Sequence, residues 1–181
     1  MAAQEQFRAM YVEHHRAVRR YVQRRAPAGD VPDITAEVFA IAWQKFEAIP
    51  AGAVLPWLYA VARNTIANEH RGAARAARLA AAVADLSEQG TRDVGDQVAA
   101  RHAVYQAWSA LRADDRELLA LIGWEGLSVR DAARALGCSA AACSVRLLRA
   151  RGRLRRALDA AQIPAGQHRT KTKTKTMGVT S

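Results

Sequence analysis

Apolar residues return every three or four positions through most of the chain, a period that predicts helices. Phe7, Met10, Tyr11, Val18, Tyr21 and Val22 keep it across residues 7–25, and Arg16, Arg19, Arg20, Arg24 and Arg25 make a basic opposite face. Pro27, Gly29 and Pro32 break this first helix. Asp33 opens a second helix through residue 46, with Ile34, Val38, Ile41 and Phe46 directed inward. Residues 49–54, containing Pro50 and Gly52, read as a loop. Pro56 fits the first turn of a third helix that reaches about Arg71 and buries Leu58, Val61 and Thr65, with Ala62 and Ile66 beside them.

The pattern weakens after Gly72. Residues 73–84 could be helical, but 85–96 are polar, contain Gly90 and Gly95, and are locally acidic through Asp85, Glu88, Asp93 and Asp96. A linker is expected here. A fourth helix starts near Gln97 with Val104, Trp108 and Leu111 at i, i+4, i+7. Asp114 or Asp115 caps a fifth, whose apolar residues are Leu118, Leu119, Leu121 and Ile122.

The clearest punctuation follows. Ser128 and Asp131 form an S-x-x-D capping box, Ala132, Ala133 and Leu136 make an apolar stripe, and Gly137 supplies the left-handed position that ends the helix. The next helix buries Cys143, Leu147, Ala150 and Leu154, while Arg146, Arg149 and Arg153 share another face. Two short helices joined through a glycine, the second rich in arginine, have the helix-turn-helix layout. A small bundle with a solvated basic face has the same pattern. The last helix ends near Ala160, before Pro164, and the alternating Thr and Lys of 170–176 cannot bury a core.

Composition narrows the picture to an all-α protein. The 181 residues are half apolar yet rich in Ala and poor in strand formers and aromatics, and the formal net charge is +10. Such charge points to nucleic acid or to an acidic protein surface. No apolar run approaches the ~20 residues of a membrane span, and Glu5 and Arg8 interrupt any leader-like stretch. A cytoplasmic protein without membrane insertion is expected. Cys138 and Cys143 have no His or Cys cluster to complete a zinc site, so no metal or other cofactor is expected and both read as packing residues. There is neither a phosphate-binding glycine loop nor a Ser/His/Asp order, so a hydrolase or transferase has no catalytic constellation to stand on.

Two sets of residues carry candidate chemistry in the N-terminal half. Asp33 and Glu37, four apart, suit either the positive end of a helix dipole or an acidic contact with a partner. Trp57, Arg63, Asn64, Asn68, His70 and Arg71 combine stacking, amide and cationic groups, the set that single-stranded nucleic acid requires. Each also has a plainer use, Trp57 in the core and the asparagines in solvent.

Residues 33–43, Asp-Ile-Thr-Ala-Glu-Val-Phe-Ala-Ile-Ala-Trp, followed by Pro56-Trp57-Leu58-Tyr59-Ala60-Val61-Ala62-Arg63-Asn64, resemble region 2 of bacterial RNA polymerase sigma factors. They are similar to the extracytoplasmic-function group, with its D-L-x-x-E-x-F-x-x-A-W and W-L-x-x-I/V-A-R-N. Residues 125–138 with Arg146-Leu147-x-Arg149-Ala150-Arg151-x-Arg153-Leu154 resemble region 4. The resemblance covers about residues 5–160 and implies two small helical domains, 1–75 and 98–160, on a flexible acidic linker at 76–97, with a disordered basic tail at 161–181.

It also implies roles. Such a protein joins core RNA polymerase, directs it to promoters and helps open the duplex. Asp33, Glu37, Phe39 and Ile41 fall where the family docks on the clamp helices of the largest polymerase subunit. Asn64 and Asn68, with the loop 49–55, fall where an extruded −10 base is captured, and Trp57, Arg63, His70 and Arg71 lie beside them. Ser139, Ala140, Ser144 and Arg146 fall on the helix that reads the −35 element, Arg146 suiting guanine, while Arg149, Arg151 and Arg153 suit phosphates. The family further implies an anti-sigma partner. The chain departs from the pattern at Ala141, Ala142 and Ser144, where Gly, Thr and Lys are common, and at Arg112, where Pro is common. The start of its reading helix is therefore poor in polar groups. The competing reading is a helix-turn-helix regulator that is no polymerase subunit, with the N-terminal half as a dimerisation or sensing module.

Overall fold

The computed structural model describes residues 2–81 and 104–161, and every regular element among them is helical. The expected linker residues 82–97 and the tail at 162–181 lie outside the described residues, as does the expected start of the fourth helix.

Helix α1, Ala2–Gln23, buries Met10, Val18, Tyr21 and Val22. Helix α2, Val31–Gln44, begins ahead of Asp33, because Pro32 takes a first-turn position where its missing N–H has no partner to lose. Pro32 therefore starts this helix and does not separate two elements. The buried face is Val31, Ile34, Thr35, Val38, Phe39 and Ala42. Ile41 and Phe46, expected inward, are only half-buried. Ile41 lies on the flank of that stripe. Phe46 belongs to a short 3₁₀ turn, Phe46–Ala48, and meets the Phe7 ring edge-on at 5.7 Å.

Helix α3, Val54–Ala81, runs well past Arg71. The stretch beyond is dominated by Ala and Arg, both strong helix formers, and no proline interrupts it. Residues 76–81, expected in the linker, are helical for that reason. Among its described residues Pro56, Leu58, Tyr59, Ala62, Thr65 and Ile66 are buried, while Val61, expected inward, is half-buried on the flank.

In the second half, α4 is helical over residues 104–109. Its inward residue is Ala107, while Val104 is 56 % exposed, against the expected stripe. Leu111 is buried from the turn after the helix. Helix α5, Ala113–Gly123, has Arg112 and not an aspartate at its N-cap; Asp114 and Asp115 occupy the first turn. Helices α6, Val129–Leu136, and α7, Ala140–Ala161, complete the chain.

The two halves share one core. Val18, Tyr21, Val38 and Leu58 belong to the same buried cluster as Leu118, Leu121, Ala133, Cys143 and Leu147. The α1, α2 and α3 helices pack on one another, α5 and α6 pack on α7, and α3 lies against α6 to join the two groups.

Candidate nucleic-acid interface

The α6–turn–α7 unit is closed by the residues that the sequence singles out. The Ser128 hydroxyl accepts the Asp131 N–H at 3.1 Å and donates to the Asp131 carboxylate at 2.7 Å. Gly137 ends α6 at φ +66°, where a side chain would be strained. The Gly137 and Cys138 N–H groups return to the Arg134 and Ala133 carbonyls at 3.2 and 2.9 Å, which satisfies the last turn of α6. Cys143 and Leu147 anchor α7 to the core, and burial, with Cys138 second, raises the Cys143 thiol. Both cysteines are free thiols, and no cluster of potential metal ligands occurs among the described residues.

With Cys143, Leu147 and Ala150 buried, the side of α7 turned furthest from the core carries Ala141, Val145, Leu148 and Gly152, at i, i+4, i+7, i+11. Arg149 and Arg156 border that stripe on one side, Arg151 and Arg155 on the other, and all four are exposed. Ser139 is exposed and accepts the Ala142 N–H, so it caps α7. Ala140 is exposed; Ser144 donates its hydroxyl to the Ala140 carbonyl at 2.9 Å. Arg146 lies on the flank facing α5, 3.9 Å from the Asp114 carboxylate. Arg153 is bonded to the buried Asp115, so it holds α7 to α5.

The six N-terminal candidates divide between two faces of α3. Trp57, Asn64, Asn68 and Arg71, at i, i+7, i+11, i+14, form one stripe. In it both asparagines and Arg71 are exposed, and Arg71 donates to the Asn68 amide oxygen. Trp57 is half-buried against the core, so its ring is shared between core and surface. Arg63 and His70, at i and i+7, lie on another side, the first half-buried and the second exposed.

On α2, Asp33 and Glu37 are exposed along one face with Ala36 and Ala40, and no ion pair among the described residues engages them. The dipole accounts for Asp33, which is in the first turn, and does not extend to Glu37. Phe39 is buried, with the Tyr11 ring 4.7 Å away, and Ile41 is half-buried.

One cluster is absent from the sequence reading. Tyr21 donates to Glu117 at 2.7 Å, and Arg25 bonds both Glu117 at 2.9 Å and Glu125 at 3.1 Å. Arg24 reaches Glu125 at 3.0 Å, and the Arg25 guanidinium lies 3.6 Å over the Tyr21 ring. The Glu125 side chain is only 3 % exposed. Arg24 and Arg25 are thus not part of an open basic face; they pin the end of α1 to α5. The Arg25 Nη2 is buried and has no hydrogen-bond partner among the described residues. Burial, then Glu117, hold the Tyr21 phenol well above its ordinary range, and burial with Glu125 second pushes Tyr59, stacked 4.7 Å from Tyr21, up to about 12. The only sequence trace of this cluster is a pair of glutamates among apolar residues in a basic chain, with nothing to say that their partners lie in α1.

Arg134 of α6 reaches the Gly52 carbonyl at 3.5 Å, so α6 also touches the loop before α3.

Comparison with known proteins matches the same two groups of helices. The family model for Sigma-70 region 2 covers residues 10–76, and that for Sigma-70, region 4, covers residues 101–154. The ECF RNA polymerase sigma factor SigL of Mycobacterium tuberculosis is 31% identical over 77% of this chain and 81% of its own length. RNA polymerase sigma factor NccH of Alcaligenes xylosoxydans is 30% identical over 76% and 77%. The probable RNA polymerase sigma factor RfaY of Xanthomonas campestris is 37% identical over 70% of this chain, which spans only 33% of that relative. Among solved structures, CnrH in complex with the cytosolic domain of CnrY superposes with a TM-score of 0.58 at 27% identity, covering 87% of this chain and 90% of that one. RpoE with the anti-sigma factor NepR from Bartonella quintana gives 0.62 at 24% identity, over 86% and 98%, and supports the fold. Helix order, helix-turn-helix and relatives agree: the chain belongs to the sigma-70 family, as an RNA polymerase sigma factor of the extracytoplasmic-function group.

Proposed function

We propose that this chain is a non-catalytic subunit that joins core RNA polymerase in the cytoplasm and directs it to promoters bearing −10 and −35 elements. The observation that carries the proposal is the exposed row of Asn64, Asn68 and Arg71 on α3, in the same chain as an arginine-bordered reading helix. A regulator that binds only duplex DNA has no use for the first of these surfaces. The exposed face of Asp33 and Glu37 is the docking surface for the clamp helices, with Ile41 at its margin and the buried Phe39 shaping it from beneath.

On α3, Asn64 and Asn68 hold an extruded base by its edge beside the loop 49–55, Trp57 backs the pocket, and Arg63, His70 and Arg71 meet phosphates. Extrusion costs a few kcal/mol, which stacking and edge contacts offset. On α7, Ser139, Ala140 and Ser144 enter the groove first, Arg149 and Arg151 hold phosphates, Arg146 does so from the flank, and Arg153, bonded to Asp115, holds the helix to α5. The domain division is 1–75 and 98–160. An anti-sigma protein is the expected regulator: RpoE is seen bound to the anti-sigma factor NepR, and CnrH to the cytosolic domain of CnrY, while in this chain Arg134 reaches the Gly52 carbonyl of the 49–55 loop. Among the described residues no helix is long and apolar enough to cross a membrane.

The test is run-off transcription by purified core polymerase on pooled genomic fragments. Chain-dependent transcripts from a defined subset are expected. Tight duplex binding by the chain alone, with no transcript and no co-elution with core, would establish the helix-turn-helix regulator in its place.

A further inference from the structure

The side of α7 that points away from the core is apolar. Val145 is 49 % and Leu148 74 % exposed, and Ala141 precedes them on the same line. The polar side chains nearby are turned elsewhere. Ser139 caps the helix, the Ser144 hydroxyl is donated back to the Ala140 carbonyl, and Arg146 leans toward Asp114. What remains to face a ligand is a ridge of methyl groups with arginines on both sides. That arrangement fits the major groove: arginines reach the phosphates of both walls, and the ridge meets the groove floor. The one apolar group that a base pair presents on that floor is the thymine C5-methyl.

We propose that this protein reads thymine by apolar contact, with Val145 and Leu148 packing against thymine methyl groups of the −35 element. The proposal rests on α7 being the −35 helix. It assigns sequence discrimination to two aliphatic side chains and leaves the arginines the task of positioning. A helix of a protein partner could also cover the ridge, but the arginines on both borders complement phosphate walls better than an apolar helix with neutral flanks.

The experiment uses holoenzyme assembled from core polymerase and the full chain, on a promoter recovered by run-off transcription. Each −35 thymine is replaced in turn by deoxyuridine, which keeps base pairing and removes only the methyl. Wild-type holoenzyme is expected to bind about fourfold more weakly for each contacted methyl removed. Val145→Ala and Leu148→Ala should weaken binding to the thymine template and lose the distinction between thymine and uracil. Both side chains are exposed, so these variants keep the core, which circular dichroism checks. Indifference of the wild type to uracil at every −35 position overturns the proposal. So does a loss in the variants that is the same on both templates, which would assign the ridge to a protein partner. Absence of any chain-dependent transcript is a separate result; it overturns the initiation reading and this contact with it.

Discussion

Asn64 and Asp115 show how differently two polar residues can be used. Asn64 is exposed, and among the described residues no hydrogen bond holds its side chain. Asn64→Ala is expected to leave stability and co-elution with core unchanged while weakening open-complex formation by about 1–3 kcal/mol, the usual worth of an amide read against a base edge. Permanganate reactivity of promoter thymines measures it, and equal loss of core binding would show misfolding. Asp115 is buried and its charge is answered by Arg153. Asp115→Ala should lower stability by about 1 kcal/mol, less than a fully buried charged hydrogen bond because Arg153 is partly solvated. A shift in urea midpoint without a change in slope is the expected reading. Sequence alone marked both positions but separated them poorly. Sequence grouped Asn64 and Asn68 with four other residues by chemistry alone, and the structure divides that set between two faces of α3, whereas Arg153 looked like one more arginine of a DNA face, because a partner in α5 leaves no periodic mark.

Among elements, the helix-turn-helix was the most legible, since its start, end and turn depend on local chemistry. Capping needs Ser128 and Asp131 three apart, and reversal needs Gly137; these rules operate within a few residues. Gly137→Ala should therefore cost about 1–2 kcal/mol through its left-handed backbone alone, seen as a lower melting temperature, although open space surrounds the position. Helices shaped by distant contacts were read less well. Val104 follows the helical period of α4 yet faces solvent, and Leu111 turns inward only after that helix has ended. The end of α3 was misplaced because a weakening apolar stripe was read as loss of helix, when Ala and Arg sustain a helix by propensity without such a stripe.

For the whole molecule, the ion cluster between α1 and α5 adds to the packing of α3 on α6 in holding the halves together. Glu117→Ala removes partners of both Tyr21 and Arg25. It is expected to enlarge the radius of gyration in small-angle scattering while helix content stays constant. The pH dependence has a definite sign. Tyr59 ordinarily loses its proton near 10.0 and holds it to about 12 in the fold. The neutral phenol therefore favours the folded state below pH 10, and the advantage is lost as pH rises toward 12. Alkaline titration of the melting temperature should fall across that window, and Tyr59→Phe should flatten the fall. None of this joining was visible in the chain read end to end: apolar periodicity tells each helix which side to bury, not which distant helix will cover it.

The buried Nη2 of Arg25 gives this junction a bias. A buried guanidinium nitrogen with no acceptor among the described residues costs the arrangement about 1–3 kcal/mol, which hydration would return if α1 and α5 parted. The contacts that fasten the halves thus include one that works against them. A surface that competes for Arg24, the more exposed partner of Glu125, would therefore have less work to do in parting α1 from α5 than the ion pairs alone suggest.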